Sequence, residues 1–221
     1  MPAHSFTFRN ALSLLFCLVS SLALHAAGPE RKVNGNLITS EREPKVRIEL
    51  PESVHYVGAD RFVLYEIADC ELHVFVEANN GRIVERLYWV QFEGYLPSKP
   101  ELHHRYDSPR HATIGGLDFY LDTWVMAEDP KVTSGSDFDH VLAMLRSHGL
   151  SLPAGMAVVR LVHLLDEVKR KELMIIYAET LASGGYSAAD LREGGKARDQ
   201  WAKIEKRAVD RATSAIKLRP L

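Results

Sequence analysis

Hydrophobic and polar residues alternate along several short segments of the chain, a pattern that predicts β-strands. From Val46 to Leu50 every second residue is apolar, and Pro51 ends the run. Residues 61–67 and 117–126 also have the composition of strands, and two glycines precede the second of these segments. The pattern therefore indicates a protein with substantial β-structure.

The strongest hairpin signal joins residues 71–77 to residues 83–95 through the sequence Asn79-Asn80-Gly81. Asn and Gly tolerate the positive φ angles that a tight turn between antiparallel strands requires. On the returning strand, both faces carry a mixture of apolar and polar side chains. We therefore expect both faces of this strand to be partly covered by other parts of the protein.

Two further segments, 156–165 and 173–181, are rich in Val, Ile and Leu and are separated by a short charged segment. One interpretation is a second hairpin at the centre of the sheet, with residues 166–172 in its turn. The alternative is one long helix over 156–181, because Lys, Glu and Leu are good helix formers. We favour the hairpin, because the charges are clustered where a turn would place them.

Two segments carry the signals of helix starts. Ser136 with Asp139, and Ser187 with Asp190, have the spacing of capping boxes. The first predicts a helix of about 12 residues that ends at Gly149. The last helix of the chain has apolar residues at helical spacing, and these should face the core: Trp201, Ile204, Ala208, Ala212 and Ala215.

The order of these elements is typical of an α+β fold, because the helices are inserted among hairpin-connected strands and do not alternate with them. We predict a curved antiparallel sheet built from hairpins, packed against a long C-terminal helix and one shorter helix. Residues 45–221 would form this single α+β domain. A flexible N-terminal tail over residues 27–44 and a signal peptide over residues 1–26 would precede it.

The signal peptide is predicted from the pattern of the first residues. A start with Arg9 and no acid leads into the apolar run Ala11–Leu24, and small residues follow at 26–28. A run of 14 residues is too short to cross about 30 Å of hydrocarbon as a helix. A lipoprotein site at Cys17 is disfavoured, because Phe16 is too large for the position before such a cysteine. We therefore expect a protein that is exported, to the periplasm or beyond.

Composition places the chain among ordinary globular proteins, with 46% hydrophobic residues, 25% charged residues and a net charge of −2. These values exclude disordered, collagen-like and multi-span membrane chains. Removal of residues 1–26 takes away Cys17 and leaves Cys70 as the single thiol, so the exported protein would contain no internal disulfide. The neighbours Asp69 and Glu71 are acidic, which disfavours a nucleophilic thiolate.

The charge is distributed unevenly along the chain. Residues 187–221 carry nine Lys/Arg and five Asp/Glu, whereas residues 27–186 carry 17 and 24. A basic amphipathic helix can bind an anionic membrane or nucleic acid, but here acids interrupt the bases. We expect the helix to dock on the acidic sheet of its own chain. The predicted partner is a small-molecule ligand, with no nucleic acid and no stable membrane insertion after signal cleavage, and the oligomeric state stays open.

Polar and aromatic residues on one side of the strand after the glycine pair form the first candidate site. Strand alternation places Asp118, Tyr120, Asp122 and Trp124 on one face. Two carboxylates roughly 7 Å apart could serve as acid and base, and the rings could stack on a flat ligand. With Tyr88 from the hairpin, these are the candidate ligand-binding residues. The simpler interpretation is a strand surface that faces solvent.

Histidines in the irregular stretch between residues 96 and 111 form the second candidate site. Three prolines forbid regular strand pairing there, and His103, His104 and His111 accompany two carboxylates. Imidazole and carboxylate groups bind Zn²⁺ or Cu²⁺, so these histidines are candidate metal ligands. The alternative is an exposed polar loop, because adjacent residues of an extended chain face opposite sides and nearby arginines would repel a cation.

The common catalytic and cofactor motifs are missing from the sequence, among them G-x-S-x-G, H-E-x-x-H, C-x-x-C, the P-loop and G-x-G-x-x-G. We therefore predict no cofactor, and an exported binding protein whose ligand lies between sheet and helices under the loop 96–116. A hydrolase or lyase that uses Asp118 and Asp122 with a loop histidine is one alternative. A cell-envelope interaction module, which would use a sheet edge or the C-terminal helix, is the other.

Overall fold

The computed structural model of the chain describes residues 28–221, so the predicted signal peptide lies outside the described residues. The strands are β1 (Lys32–Asn34), β2 (Leu37–Ser40), β3 (Val46–Glu49), β4 (His55–Leu64), β5 (Ala68–Ala78), β6 (Val84–Tyr95), β7 (His111–Ile114), β8 (Leu117–Met126), β9 (Met156–Leu164), β10 (Lys171–Thr180) and β11 (Lys217–Pro220). The helices are α1 (Asp137–Ser147), α2 (Ala188–Leu191) and α3 (Trp201–Ala215).

The strands form two antiparallel sheets. The larger has seven strands in the order β4-β5-β6-β10-β9-β8-β7, and the smaller has four in the order β1-β2-β3-β11. The α+β prediction, with an antiparallel sheet, a C-terminal helix and a shorter helix, is confirmed. The curvature of the sheet stays a prediction. The register of the β4–β5 pair shifts between Tyr56 and Gly58, so the edge strand β4 carries a bulge.

The second hairpin exists in place of the alternative long helix. β9 and β10 pair along their length from Glu172 opposite Leu164 to Thr180 opposite Met156. β10 is the fourth of the seven strands, so the hairpin lies at the centre of the sheet, as its apolar composition predicts. Strands buried on both faces have nearly continuous apolar sequences, and this is what the two segments show.

The large sheet is covered on both faces. One face packs against the small sheet and α3 through a core that includes Phe75, Tyr88, Val90, Phe92, Leu161, Ile175, Tyr177, Ile38, Ile48, Ile204 and Ala208. The opposite face packs against α1 through Leu72, Val74, Leu87, Trp89, Val158, Val162, Met174, Ile176, Val141 and Leu145. The two faces of β6 are thus both buried, as its mixed pattern predicts.

Four short strands lie where the sequence pattern did not predict them. The segment 27–44, expected to be a tail, contains β1 and β2, which are too short and too polar to show clear alternation. β11 follows α3 and closes the small sheet beside β3. β7 pairs with β8 across Gly115, where an added Cβ would lie 2.3 Å from the backbone oxygen of Leu218. Glycine at this position therefore lets the β7–β8 turn approach the small sheet.

The basic C-terminal helix docks on an acidic residue of the large sheet. Glu179 on β10 is buried, and its carboxylate lies 2.9 Å from Nη1 of Arg211 and 3.5 Å from Nε of Arg207 on α3. Tyr177 donates a further hydrogen bond of 2.7 Å to Glu179. These contacts agree with the expectation that the charge asymmetry is satisfied within the chain.

Another buried carboxylate ties the start of the described chain to the large sheet. Glu71 on β5 accepts hydrogen bonds from the backbone N–H groups of Glu30 and Arg31 and from the Arg31 guanidinium, at 2.8–2.9 Å. His73 Nε2 lies 2.9 Å from the same carboxylate. Burial alone would raise the pKa of Glu71, but the bonds from His73 and from the 30–31 segment outweigh it and lower the pKa to about 2.

We expect Glu71→Gln to lower the free energy of unfolding at neutral pH by about 3 kcal/mol, because it removes one partner of a buried ion pair. A carboxyl pKa below its unfolded value of 4.5 stabilises the folded state above that value, and this contribution is lost as the pH falls towards 2. The difference between the two proteins, measured by urea unfolding from pH 7 to pH 2, should therefore shrink below about pH 5.

Asp69→Asn serves as the control on the same strand. Asp69 pairs with Arg61 but is 40% exposed at its side chain, so its loss should cost less than about 1 kcal/mol. A difference between wild type and Glu71→Gln that stayed constant down to pH 2 would contradict the assignment.

Candidate functional site

An open groove of about 290 Å³ lies between the large sheet and the start of α1. Its walls come from four neighbouring strands of the sheet and from the segment that leads into the helix. Most of the lining is apolar, including Leu87, Trp89, Trp124, Met126, Pro130, Phe138, Val158, Met174, Ile176 and Ala178. A concave apolar site of this size is typical of a small-molecule binding site, at the lower end of the usual range.

Two ionisable side chains also line the groove. Arg160 on β9 contacts Asp122 through Nη2 at 2.6 Å, and its guanidinium lies over the ring of Tyr106 at 5.3 Å. Asp137 is the first residue of α1, and its side-chain Oδ1 accepts a hydrogen bond of 2.8 Å from the backbone N–H of Phe138. Burial raises the pKa of Asp137. An otherwise apolar groove thus offers one cationic and one acidic group.

A cluster of Glu93, His104 and Glu172, here called the Glu–His–Glu cluster, lies on the same face of the sheet. One donor atom from each of the three side chains lies within 4.8 Å of the other two. Glu93 on β6 and Glu172 on β10 are direct cross-strand partners, so the pairing of these strands places their carboxylates side by side. Cys70 on β5 is the partner of Glu93 on its other side.

Hydrogen bonds surround the cluster. Tyr106 donates from its hydroxyl to Oε2 of Glu172 at 2.7 Å, and Nδ1 of His104 lies 3.0 Å from the same oxygen. Gln91 donates from Nε2 to Oε2 of Glu93 at 2.9 Å and accepts a bond from the indole of Trp89. Among the described residues, Nε2 of His104 has no hydrogen-bond partner, although the residue is only 6% exposed.

The charges of the cluster affect one another. Burial raises the pKa of Glu93, and the neighbouring negative charge of Glu172 raises it further. For His104, burial lowers the pKa, but the hydrogen bond and charge of Glu172 outweigh burial and raise it. Burial also raises the pKa of the Tyr106 hydroxyl, so it stays a hydrogen-bond donor at neutral pH. All three pKa shifts favour the protonated form, so each of them reduces the negative charge of the cluster.

The loop between β6 and β7 brings His104 and Tyr106 to this face. Arg170 directly precedes β10, and its guanidinium donates to four backbone oxygens at 2.7–3.3 Å: that of Tyr95 at the end of β6 and those of Leu96, Lys99 and Leu102 in the loop. The backbone N–H of His104 also bonds the carbonyl of Lys169 at 2.7 Å. A single side chain thus satisfies backbone groups that the prolines keep out of a sheet ladder.

The predicted ligand-binding residues are only partly brought together. Trp124 lines the groove, and Asp122 holds the guanidinium of Arg160 at its edge. Tyr120 packs at 5.6 Å from the ring of Tyr106. Tyr88 lies on the opposite face of the sheet, 2% exposed and 5.2 Å from the ring of Tyr177.

Asp118 is an exposed residue that lies 2.8 Å from Nδ1 of His111.

The three predicted metal-ligand histidines have separate surroundings. His104 belongs to the Glu–His–Glu cluster. His103 is exposed and accepts a hydrogen bond from Nε of Arg105, whereas His111 pairs with Asp118. The side chains that sequence reasoning missed are Glu93, Glu172, Arg160 and Asp137. In the sequence, Glu93, Glu172 and Arg160 are charged residues within strands that are otherwise largely apolar. In a sheet covered on both faces, such a charge requires a partner.

Two other features have structural explanations. Cys70 is fully buried, and burial with the nearby Glu93 raises the pKa of its thiol, so it is not a thiolate nucleophile. A larger cavity of about 520 Å³ lies near Glu71; Glu93 and Glu172 belong to its lining, and most of its other charged walls are paired with one another. These pairs are Arg31–Glu71, Arg42–Glu30, Arg61–Asp69 and Lys171–Glu43.

Within residues 28–221, none of the helices is long and apolar enough to cross a membrane. The chain matches no protein-family model, no curated protein and no solved structure. The function must therefore be inferred from the geometry of the groove and of the side chains around it.

We expect Arg170→Met to loosen the loop, because four carbonyl oxygens lose the bond from the guanidinium while the aliphatic stem of the side chain is kept. Hydrogen exchange should become faster at amides in residues 96–104, and the free energy of unfolding should fall by about 1–3 kcal/mol. Arg105→Met, which removes an exposed arginine of the same loop, is the matched control and should leave both measurements unchanged. Unchanged exchange in Arg170→Met would show that other contacts hold the loop.

Proposed function

We propose that this chain is a binding protein for a small, largely apolar organic molecule, which it holds in the groove between the large sheet and α1. The observation that carries the proposal is the groove itself. It has an opening to solvent on a face of the sheet that is otherwise covered by α1 and by the loop after β6. A packed interface would have closed this space with side chains.

The walls of the groove support a ligand with a flat or aromatic part. Trp89 is buried in the floor, whereas Trp124 at the rim is 39% exposed. Exposed large apolar side chains beside a concavity are typical of binding sites. Arg160 and Asp137 provide the polar contacts that would orient a ligand in an apolar site.

The alternative functions have weaker support. For a hydrolase or lyase, one observation is favourable: Nδ1 of His111 lies 2.8 Å from Asp118. The side chains of His111 and Asp118 are both more than 40% exposed, and neither lines the groove. Asp122 is already engaged by Arg160. For an interaction module, the expected exposed stripe on α3 is lacking at Ile204, which is 4% exposed.

We further propose that the binding protein is exported after removal of residues 1–26. The support is the sequence pattern of the N-terminus, together with a described chain whose single cysteine is buried and unpaired. Such a protein depends on packing and hydrogen bonds for its stability, since it has no disulfide among its described residues.

We expect Trp124→Ala to weaken binding of an apolar fluorescent probe, anilinonaphthalene sulfonate, by roughly tenfold, because the loss of one indole face costs on the order of 1.5 kcal/mol. Binding is measured by titration of probe fluorescence at a fixed protein concentration. Repeating the titration with the uncharged phenylnaphthylamine, in wild type and Arg160→Met, reports whether the arginine favours an anionic ligand.

Tyr65→Asn is the control for the loss of an exposed aromatic ring away from the groove. Tyr65 is 54% exposed in the turn between β4 and β5 and has a φ of 48°, which asparagine tolerates. Its affinity for the probe should equal that of wild type. Equal affinities in wild type and Trp124→Ala would argue against the groove as the binding site.

The full-length chain, expressed in a bacterial host, should yield an exported protein whose intact mass lacks residues 1–23, 1–26 or 1–27, since these end in the small residues that signal peptidases accept. Leu15→Arg places a charge in the apolar run and should retain the precursor in the cell. Thr7→Arg adds the same charge to the basic start and should be processed normally. Full-length mass in the exported fraction would disprove the cleavage.

A further inference from the structure

The Glu–His–Glu cluster has the composition of a site for a divalent transition-metal ion. Imidazole and carboxylate are the donors that Zn²⁺ and neighbouring ions combine, and open zinc sites take three protein ligands and leave a position for water. Metal–ligand distances of about 2.1 Å place the donors of a tetrahedral site about 3.4 Å apart. The donors of the cluster lie within 4.8 Å of one another, so rotamer adjustments of about an ångström would bring them together.

A buried nitrogen without a partner is the second, independent observation. His104 is 6% exposed; Nδ1 is the ring nitrogen that faces Glu172, at 3.0 Å, and Nε2, across the ring, has no hydrogen-bond partner among the described residues. Leaving such an atom buried and unpaired costs about 1–3 kcal/mol, and buried polar groups in proteins are otherwise almost always satisfied. An imidazole nitrogen is also the commonest protein ligand for zinc and its neighbours.

The outer contacts of the cluster are those that metal sites require. Ligating carboxylates and histidines are held by hydrogen bonds from a surrounding set of side chains, which fix their orientation. Here Tyr106 donates to Glu172, and Gln91 donates to Glu93 while Trp89 fixes the orientation of the Gln91 amide. The loop that carries His104 and Tyr106 is itself tied down by Arg170.

Charge balance points to a divalent ion. Glu93 and Glu172 are cross-strand partners on a covered face of the sheet, where two like charges repel each other. The two carboxylates together carry a charge of −2 when both are ionised, which a divalent ion would neutralise without any change in the surrounding residues.

We propose that Glu93, His104 and Glu172 bind a divalent transition-metal ion of the Zn²⁺ type. This site is separate from the groove and does not depend on the proposed binding function, although Arg160 and Tyr106 lie between the two. Of the histidines in the loop, the site uses His104 and leaves His103 and His111 outside.

The test uses the tag-free chain, stripped of metal with a chelator and then titrated with Zn²⁺. We expect one Zn²⁺ per chain by elemental analysis after gel filtration, and a Tm that rises with Zn²⁺ and falls again with chelator. Co²⁺ in place of Zn²⁺ should give a visible absorption spectrum of a four- or five-coordinate ion. Failure of wild type to retain stoichiometric Zn²⁺, or a Co²⁺ spectrum identical to that of the free hydrated ion, would overturn the proposal.

Variants then assign the ligands. His104→Gln and Glu93→Gln should weaken Zn²⁺ binding at least about 100-fold, because loss of an outer hydrogen bond alone costs roughly 10–100-fold in metal sites. Tyr106→Phe removes only such an outer bond and should weaken binding about tenfold. The control is His103→Gln, an exposed neighbour on the same loop, which should bind as wild type.

Zn²⁺ affinity unchanged in both His104→Gln and Glu93→Gln would overturn the proposal, as would loss of binding only in His103→Gln or in His111→Gln. Circular dichroism verifies the fold of each variant. Should His104→Gln fail to fold, Glu93→Gln and the Co²⁺ spectrum of wild type still decide the question, since neither relies on that variant.

Discussion

Burial of the seven-stranded sheet on both faces is the constraint on which the rest of the structure depends. With the small sheet and α3 on one side and α1 on the other, side chains of the central strands lie in the interior whichever way they point. A polar group there must find a partner or be excluded from the fold. The buried carboxylates of Glu71, Glu172 and Glu179 accordingly each accept hydrogen bonds from neighbouring groups.

α1 and the loop after β6 cover the same face of the large sheet and leave a space between them, and the groove lies in this space. α1 packs on one part of the face, and the loop after β6 places Tyr106 and His104 on another. Arg160 stands where the two parts meet, in contact with Tyr106 and at the lining of the groove. The groove and the Glu–His–Glu cluster are thus consequences of one face that two separate segments cover incompletely.

Local patterns predicted the hairpins and the helix starts, because alternation and capping depend on neighbours in sequence. Ser136 accepts from the N–H of Asp139, and Ser187 and Asp190 form a reciprocal capping box, as their spacing predicts. Such patterns could not show that Tyr88 and Trp124 lie on opposite faces of the large sheet. This placement depends on the register of β6, β10, β9 and β8, which are paired across long separations in sequence.

The loop that carries His104 was also beyond prediction from sequence. Its prolines indicate correctly that most of it forms no strand, but they do not indicate that Arg170, about seventy residues away, would bind its backbone oxygens. The same applies to β1 and β11, whose pairing with β2 and β3 gives them a strand conformation that their short sequences do not specify. Long-range contacts determine all of these features.

The lengths of the edge strands have a consequence for how this protein behaves at high concentration. An exposed edge strand offers unpaired backbone groups to other chains and can seed aggregation. Among the strands of residues 28–221, three of the four sheet edges, β1, β7 and β11, are only three or four residues long, and β11 contains Pro220. The remaining edge, β4, has ten residues but is interrupted by its bulge near Gly58. A protein rich in strands thus presents little straight edge on which another copy could extend a sheet.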